Sequence, residues 1–275
     1  MTEPELSFVA SSTFLSADGD GYELQMGRWS RRLAPMFVKF AAIAGAARVL
    51  DVGCGTGSLT FCLVQEPGIA GVLGMDFSPA YITHATRNNL DRRVTFQVGD
   101  ACALPFPDAS FDHALSMLVL QFIPRVELAV REMRRVTRPG GTIAAATWDS
   151  RGGLVAQRII LDTAAVLDPE GNACRARALT RPMSRPGDLV QAWRDAGLTD
   201  VVQDTLTIRM DYASFADFWA PAEGLDGPIA EYVGTLRPQA RAKLRDLVRL
   251  AYLDGEVDGA RSYAATAWAV KGRTP

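Results

Sequence analysis

Val49-Leu50-Asp51-Val52-Gly53-Cys54-Gly55-Thr56-Gly57 is the stretch that decides the fold. A short apolar run ends in an acid, three glycines follow at alternate positions, and a helix-like segment begins at Ser58. Glycine leaves no side chain to block a ligand, and the N-terminus of a helix offers free backbone N–H groups. The stretch therefore predicts a strand, a tight turn and a helix, with a nucleoside-bearing ligand against the N–H groups of the turn.

A regular alternation of strand and helix surrounds this turn. Short apolar runs indicate buried strands, and segments with helical spacing separate them. This order predicts an α/β doubly wound fold, a parallel sheet with helices on both faces. The predicted strands are 48–52, 71–75, 94–98, 110–117 and 142–148, and the predicted helices are 58–65, 79–89 and 125–136, the last one ended by Arg138-Pro139-Gly140-Gly141.

The flanking segments have weaker patterns. Residues 1–21 are predicted to be a loose arm, and residues 22–44 to form one or two amphipathic helices. Beyond the alternating region, two strands enclose a helical insertion rich in aromatic residues, so these strands can pair antiparallel at the sheet edge. The remaining predicted segments are an insertion at 150–185, a helix at 186–196, a strand at 201–209, the aromatic insertion at 211–258 and a strand at 263–270.

Two acids follow the next two predicted strands. Asp76 ends the second strand, where a carboxylate can accept hydrogen bonds from both hydroxyls of a ribose. Asp100 ends the third strand, where a carboxylate can accept from an exocyclic amine such as adenine N6. Ligands of open α/β sheets bind outside the carboxyl ends of the strands, so the glycine turn and both acids are expected to converge on one nucleoside.

A nicotinamide dinucleotide is the competing ligand. Its fingerprint is G-x-G-x-x-G with a pyrophosphate on the helix N-terminus, whereas this chain has G-x-G-x-G. Asp51, two residues before the first glycine, suits a cationic ammonium group and opposes a pyrophosphate. The charge of Asp51 therefore favours S-adenosylmethionine over NAD.

Composition limits the class of partner. The chain has 275 residues, with 29 Lys and Arg against 31 Asp and Glu, which gives no overall attraction to nucleic acid or an anionic membrane. The four cysteines form no C-x-x-C pair and the two histidines add no ligand spacing, so no metal site is expected. No secretory pattern and no long apolar run is present, which indicates a cytoplasmic protein with a small-molecule substrate.

Five segments in order resemble the motifs of class I S-adenosylmethionine-dependent methyltransferases, with most similarity to the small-molecule branch typified by ubiquinone and menaquinone biosynthesis. They are 51–57 (DVGCGTG), 74–79 (GMDFSP), 99–101 (GDA), 111–116 (FDHALS) and 138–141 (RPGG). The resemblance runs from about residue 22 to the C-terminus and is strongest over 47–148. It implies one methyltransferase domain at 22–275, with 22–44 as an N-terminal lid, 45–149 as the cofactor-binding core, 150–185 and 211–258 as substrate-side insertions, and a Rossmann-like seven-stranded sheet whose last strand is inserted antiparallel.

The resemblance also implies the cofactor, S-adenosyl-L-methionine, and its contacts. The motif glycines would line its methionine part, Asp76 would hold the ribose with Phe77 beside the adenine, and Ser116 and Met117 would close the site next to the substrate. Tyr22 and Arg28, in the N-terminal lid, would reach the cofactor carboxylate. The full set of expected cofactor residues is Tyr22, Arg28, Asp51, Gly53, Gly55, Thr56, Gly57, Asp76, Phe77, Asp100, Ala101, Ser116 and Met117.

The acceptor is left open by the sequence. It is expected to be small and fairly apolar, methylated at carbon, oxygen or nitrogen, and to lie near Trp29, Gln121, Trp148, Phe218 and Trp219. Many relatives carry a histidine where Gln121 stands, and glutamine cannot act as a base, so no catalytic residue is assigned. A nicotinamide-dependent oxidoreductase and a non-catalytic S-adenosylmethionine-binding protein remain alternatives, and the chain is expected to be a monomer or a homodimer.

Overall fold

The computed structural model describes residues 19–43, 45, 47–224 and 227–275. The predicted loose arm at 1–21 therefore lies outside the described residues except for its last three positions. Within the described ranges, no helix combines the length and the apolar character needed to cross a membrane.

One mixed sheet organises the chain. Its strands lie in the order β3-β2-β1-β4-β5-β7-β6, in which β1 to β5 are parallel and β7 is antiparallel to both of its neighbours. The predicted fold class, with the last strand inserted antiparallel, is confirmed. The strands are β1 Ala47–Val52, β2 Ile69–Asp76, β3 Val94–Val98, β4 Phe111–Met117, β5 Thr137–Trp148, β6 Thr199–Tyr212 and β7 Arg261–Arg273.

Helices cover both faces of this sheet. Neighbouring residues of a strand point to opposite faces, and Leu50 and Ile143 accordingly belong to a different hydrophobic cluster from Val49 and Ala144. The helices are α1 Gly19–Tyr22, a π-helix Glu23–Gly27, α2 Arg28–Ala41, α3 Ser58–Leu63, α4 Pro79–Arg87, α5 Val126–Val136, α6 Val155–Leu167, α7 Pro169–Leu179, α8 Asp188–Asp195, α9 Phe215–Trp219, α10 Pro228–Thr235 and α11 Pro238–Leu253, with 3-10 turns at Leu120–Phe122 and Ala220–Glu223.

The beginning of β5 differs from the prediction. The segment 138–141, expected only to end the preceding helix, lies inside β5, which begins at Thr137. Thr274 holds this segment, because its N–H donates to the Gly141 carbonyl at 3.0 Å and its carbonyl accepts from Gly140 N–H at 2.9 Å. This partner lies at the far end of the chain, so local pattern alone could not reveal the extra length of strand.

Two helices occupy the segment of weak signals at 150–185. Asp168 ends α6 and caps α7, since its Oδ1 accepts from Gly171 N–H at 2.6 Å and its Oδ2 accepts from the Tyr232 hydroxyl at 2.8 Å. Tyr232 belongs to α10 in the aromatic insertion. The two substrate-side insertions are therefore in direct contact.

Candidate functional site

One cavity opens at the carboxyl ends of the five parallel strands. The loops that follow these strands supply its floor, the N-terminal helices cover one side, and α6, α7 and α10 supply the other. Its lining residues are Tyr22, Gln25, Met26, Ser30, Asp51, Gly53, Cys54, Gly55, Ser58, Leu59, Met75, Asp76, Phe77, Ser78, Tyr81, Gly99, Asp100, Ala101, Met117, Leu118, Val119, Gln121, Phe122, Ile123, Trp148, Gln157, Leu161, Ala178, Arg181, Pro228 and Ile229.

The glycine turn after β1 uses its own N–H groups internally. Gly53 and Cys54 donate to the Met75 carbonyl at 2.7 and 2.9 Å, Gly55 donates to Asp76 at 2.8 Å, and Gly57 donates to the Cys54 carbonyl at 2.9 Å. The prediction of direct ligand contact concerned Gly53, Gly55 and Gly57, whose N–H groups have these partners within the chain. Four donors that a pyrophosphate could use in this turn are therefore already occupied, which disfavours a dinucleotide.

Glycine is required in this turn for a conformational reason. Gly53 has φ 74°, and a Cβ there would lie 2.4 Å from the Val119 side chain. A residue with a side chain is strained at such φ values, and here the neighbouring loop leaves no room for one. The turn therefore brings bare backbone to the cavity wall.

Asp51 places a buried acid beside this backbone. Its side chain is 1% exposed, its Oδ2 accepts from the Thr60 hydroxyl at 2.6 Å, and its Oδ1 has no hydrogen-bond partner. Burial, opposed by the Thr60 hydrogen bond and reinforced by the nearby charge of Asp76, raises the pKa of Asp51 to about 7. An unpartnered buried carboxylate oxygen on a cavity wall is an acceptor for a cationic ligand group.

Asp76 stands between the turn and the next loop. Its Oδ2 accepts from Gly55 N–H and its Oδ1 accepts from Ser78 N–H at 2.9 Å. Burial raises the pKa of Asp76, and these backbone hydrogen bonds oppose that rise. Each carboxylate oxygen keeps a further lone pair, so both can still accept from ligand hydroxyls.

The third strand ends in a more open part of the cavity. Asp100 lines it, with its Oδ1 accepting from Cys102 N–H at 2.8 Å, and Ala101 lies beside it. Phe77 also lines the cavity and is 45% exposed, which is unusual for an aromatic ring. An exposed ring next to a carboxylate is suited to stacking on a planar base.

The N-terminal helices cover the turn. Tyr22 lies over Gly55, its hydroxyl is 3.0 Å from the Ser30 hydroxyl, and its ring packs on Tyr81 with centroids 5.1 Å apart. Burial raises the pKa of Tyr22 to about 12, so its hydroxyl remains protonated at neutral pH. Tyr22 therefore lines the cavity as a neutral group.

Four of the expected cofactor residues do not line the cavity. Arg28 pairs with Asp217 at 2.9 Å and lies over the Trp29 ring at 4.3 Å. Thr56 donates to Glu23 and Ser116 donates to the Val52 carbonyl, so both make hydrogen bonds within the protein. Gly57 is the N-cap of α3.

The expected substrate residues lie in three different places. Gln121 and Trp148 line the main cavity, where Gln121 Oε1 and Trp148 Nε1 are buried without hydrogen-bond partners. Trp29 and Phe218 line a smaller second cavity, and Trp219 lines neither cavity but packs in the core, stacked on Phe215. The two cavities share the lining residues Gln25, Met26, Gln157 and Ile229.

Sequence reasoning missed the cavity residues supplied by the insertions. Arg181 is the most consequential of them, because it brings a positive charge to the wall formed by α7. The segment 150–185 contains several arginines in a weak pattern, and nothing in their spacing singles out Arg181. Among the residues described, no group of three His, Cys, Asp or Glu side chains is placed to hold a metal ion.

Comparisons with known proteins identify the family of the chain. The family model described as a methyltransferase domain matches residues 50–145. The chain is 34% identical over 174 residues to demethylmenaquinone methyltransferase of Roseiflexus castenholzii, covering 60% of this chain and 73% of the relative. It is 38% identical over 123 residues to malonyl-[acyl-carrier protein] O-methyltransferase of Erwinia pyrifoliae, covering 45% of each chain, so this chain spans about half the length of some curated relatives.

A solved structure supports the same fold. It is phosphoethanolamine N-methyltransferase 2 of Haemonchus contortus in complex with S-adenosyl-L-methionine. The TM-score is 0.57 at 17% sequence identity, and the match covers 94% of this chain and 57% of that one. At this identity the likeness concerns the fold alone.

Proposed function

The chain belongs to the class I S-adenosylmethionine-dependent methyltransferases, and from that membership we propose that it transfers a methyl group from S-adenosylmethionine to a small, largely apolar acceptor. The observation that carries this proposal is the pairing of an acidic group with a turn that has few free donors. Asp51 presents an unpartnered carboxylate oxygen to the cavity, and the N–H groups of Gly53, Cys54, Gly55 and Gly57 are already bonded within the chain. This wall suits an ammonium group and opposes a phosphate.

The cofactor would lie along the carboxyl ends of β3, β2, β1 and β4. Asp100 and Phe77 would hold the adenine, Asp76 would accept from the ribose hydroxyls, and Asp51 would face the ammonium group. Gly53 and Gly55 would lie against the methionine chain. The order of these residues follows the order of the strands, which are about 4.8 Å apart in a sheet.

The N-terminal helices and the insertions would close the site. Tyr22 and Met26 from the N-terminal segment and Pro228 and Ile229 from α10 line the same cavity as the glycine turn. We assign residues 22–44 and the insertions at 150–185 and 211–258 to one domain with the core at 45–149, since all of them contribute to one cavity. The residues at 225 and 226 of the insertion lie outside the described ranges.

The protein's part in the chemistry would be orientation and exclusion of water. S-adenosylmethionine, when bound, supplies a methyl group already activated by its sulfonium. Met117 and Leu118 at the end of β4 and Trp148 at the end of β5 would form a dry wall beside it. Orientation of two reactants can lower a barrier by about 7–11 kcal/mol, so no charged catalyst is required in principle.

Calorimetry with S-adenosylhomocysteine and with NAD tests the cofactor assignment. We expect saturable binding of one S-adenosylhomocysteine per chain and none of NAD. Asp100→Ala is expected to weaken the first by about tenfold through loss of one hydrogen bond to a charged group. Binding of NAD without S-adenosylhomocysteine would overturn the assignment. Tight S-adenosylhomocysteine binding with no methyl transfer across a broad acceptor panel would instead indicate a binding protein.

A further inference from the structure

Arg181 places a positive charge in the wall of the main cavity. It follows the C-terminus of α7, and its guanidinium carbon lies 4.9 Å from the centre of the Phe122 ring. Burial lowers the pKa of Arg181, with Cys174 and Glu231 acting in the opposite direction. A guanidinium remains protonated at neutral pH even so, and the cavity therefore contains a partly desolvated cation.

This cation has no acidic partner among the residues described. No described carboxylate lies within 4.0 Å of its guanidinium, and Glu231 acts on it only at longer range. Arg28 and Arg135, which are also partly buried, pair with Asp217 and Glu132 respectively. The helix dipole of α7 offers Arg181 a partial negative charge, but it does not satisfy the five N–H donors of the fork.

The position of Arg181 is at the acceptor side of the cavity. The Thr147 hydroxyl donates to the Met183 carbonyl, and the Ser184 hydroxyl donates to the Arg181 carbonyl at 2.7 Å. These hydrogen bonds tie the Arg181 loop to the end of β5. Asp76 and Asp100 follow β2 and β3, which lie on the other side of β1 and β4 in the sheet.

A buried donor and an apolar side chamber accompany this charge. Trp148 Nε1, at the end of β5, is buried without a hydrogen-bond partner and can donate to an anion. The second cavity adjoins the first through four shared residues and is lined by Trp29, Ile160 and Phe218. A ligand that satisfies both regions has an anionic end and an apolar body.

We propose that the methyl acceptor is an amphipathic carboxylic acid whose carboxylate is bound by Arg181 and whose apolar body extends into the second cavity. This proposal rests on the methyltransferase function proposed above and adds the chemical class of the substrate. Arg181 is a specificity-determining residue in this scheme, because it forms a bidentate ion pair that a neutral analogue cannot form.

Matched acids and amides test the proposal on the intact 275-residue chain loaded with S-adenosylhomocysteine. Calorimetry would measure binding of benzoate, phenylacetate, cinnamate and octanoate against their primary amides. We expect at least one acid to bind about tenfold or more tightly than its amide, a ratio typical of a charge-assisted hydrogen-bonded pair. Arg181→Met is expected to abolish this preference, and Arg181→Lys to restore part of it.

Arg177 supplies the control. It lies one helical turn earlier on α7 and is exposed, so Arg177→Met removes the same charge outside the cavity and should preserve the preference. Equal binding of every acid and its amide by the wild type, or an undiminished preference in Arg181→Met, would overturn the proposal.

The cofactor-loading step separates this proposal from the one on which it rests. Failure of the wild type to bind S-adenosylhomocysteine would reject the methyltransferase function itself. A loss of S-adenosylhomocysteine affinity by about tenfold or more in Arg181→Met alone would assign the guanidinium to the cofactor carboxylate and reject the acid-binding role. Unchanged cofactor affinity with a lost acid preference is the expected result.

Discussion

The two halves of the molecule build their parts of the cavity in different ways. Residues 47–148 contribute loops that directly follow strands, so their cavity residues stand at fixed places in short motifs. Residues 149–275 contribute side chains from α6, α7 and α10, which reach the cavity only through tertiary packing. The first half holds acids and bare backbone, and the second half holds the cation Arg181 and an apolar surface.

This difference separates what a fold family shares from what distinguishes its members. A turn that must adopt positive φ, as at Gly53, can be occupied by few residue types, so its sequence is constrained. A helix face that packs on a cavity can be built from many sequences, and Ala178 and Leu161 carry no recognisable pattern. We therefore expect substitutions in the first half to change cofactor binding and those in the second half to change stability or acceptor choice.

Trp219→Ala is expected to have the largest effect and to sharpen this contrast. Trp219 is 1% exposed and stacks on Phe215 with ring centroids 6.1 Å apart. Truncation of a buried tryptophan typically lowers the free energy of unfolding by about 3–5 kcal/mol. Urea denaturation would measure this loss, and calorimetry on the folded protein should give unchanged S-adenosylhomocysteine affinity.

Leu250→Ala is the matched control for the core substitution. Leu250 lies on α11 of the same insertion and is 66% exposed, so its truncation should change the unfolding free energy by no more than about 0.5 kcal/mol. If Trp219→Ala weakened acceptor binding and left stability unchanged, the ring would be a substrate contact, as the sequence suggested, and its core position would not describe its role.

Asp76→Ala tests the first half directly. The substitution removes a carboxylate that organises Gly55 and Ser78 and is placed to accept from ribose hydroxyls. Loss of hydrogen bonds to a charged group costs about 1.5–3 kcal/mol, which corresponds to a fall in S-adenosylhomocysteine affinity of roughly 10- to 150-fold. Asp108→Ala removes an equal charge at an exposed position outside the cavity. Equal S-adenosylhomocysteine affinities in the two variants would show that Asp76 does not bind the cofactor.

The sequence predicted the sheet well because its signals are local. The strand 94–98 was predicted with its observed bounds, and the antiparallel placement of β7 followed from the resemblance to a known family. The start of β5 was missed because it depends on Phe111, which pairs with Thr137, and on Thr274, which bonds Gly140 and Gly141. The N–H groups of the glycine turn have partners such as the Met75 carbonyl and the Asp76 carboxylate, which the sequence did not indicate. Long-range hydrogen bonds leave no mark on local periodicity.

The sequence predicted the candidate site only where short local motifs supply its residues. Asp51, Gly53, Asp76 and Asp100 lie in strand-end motifs, and all of them line the cavity. Arg181 was not found, because its role depends on the packing of the loop after α7 beside Phe122 and the end of β5. Charge on a side chain can be read from a sequence, but the absence of a partner for that charge can be read only from the fold.

Asp51→Asn is expected to have opposite effects on stability and binding. Its folded-state pKa of about 7 lies above the value near 3.9 of an unfolded aspartate, so folding favours the protonated form. Stability of the free protein should therefore fall as pH rises from about 4 to about 7, and the asparagine variant should lack this fall. At pH 8 we expect the variant to have a higher Tm and about tenfold weaker S-adenosylhomocysteine binding, about 1.4 kcal/mol.

The pH dependence of binding provides a second check on Asp51. An ammonium group binds the ionised carboxylate, so S-adenosylhomocysteine affinity should rise as pH increases toward about 7 and then level off. Titration calorimetry between pH 5.5 and 8 would measure the slope, and Asp51→Asn should flatten it. A slope that persists in the variant would assign the proton to another group, with Asp76 the nearest candidate.

Arg28→Met has the smallest expected effect and decides whether the N-terminal helices belong with the first half or the second. Arg28 pairs with Asp217 of α9, with both side chains about 30% exposed, and its guanidinium also faces the Tyr212 ring at 5.0 Å. An ion pair that solvent reaches on both sides contributes about 1 kcal/mol to stability or less. We expect Arg28→Met and Asp217→Asn to give similar small losses that do not add in the double variant. Cofactor affinity within twofold of wild type would show that Arg28 connects α2 to the insertion and does not bind the cofactor. A larger loss of affinity in Arg28→Met alone would indicate that Arg28 binds the cofactor carboxylate.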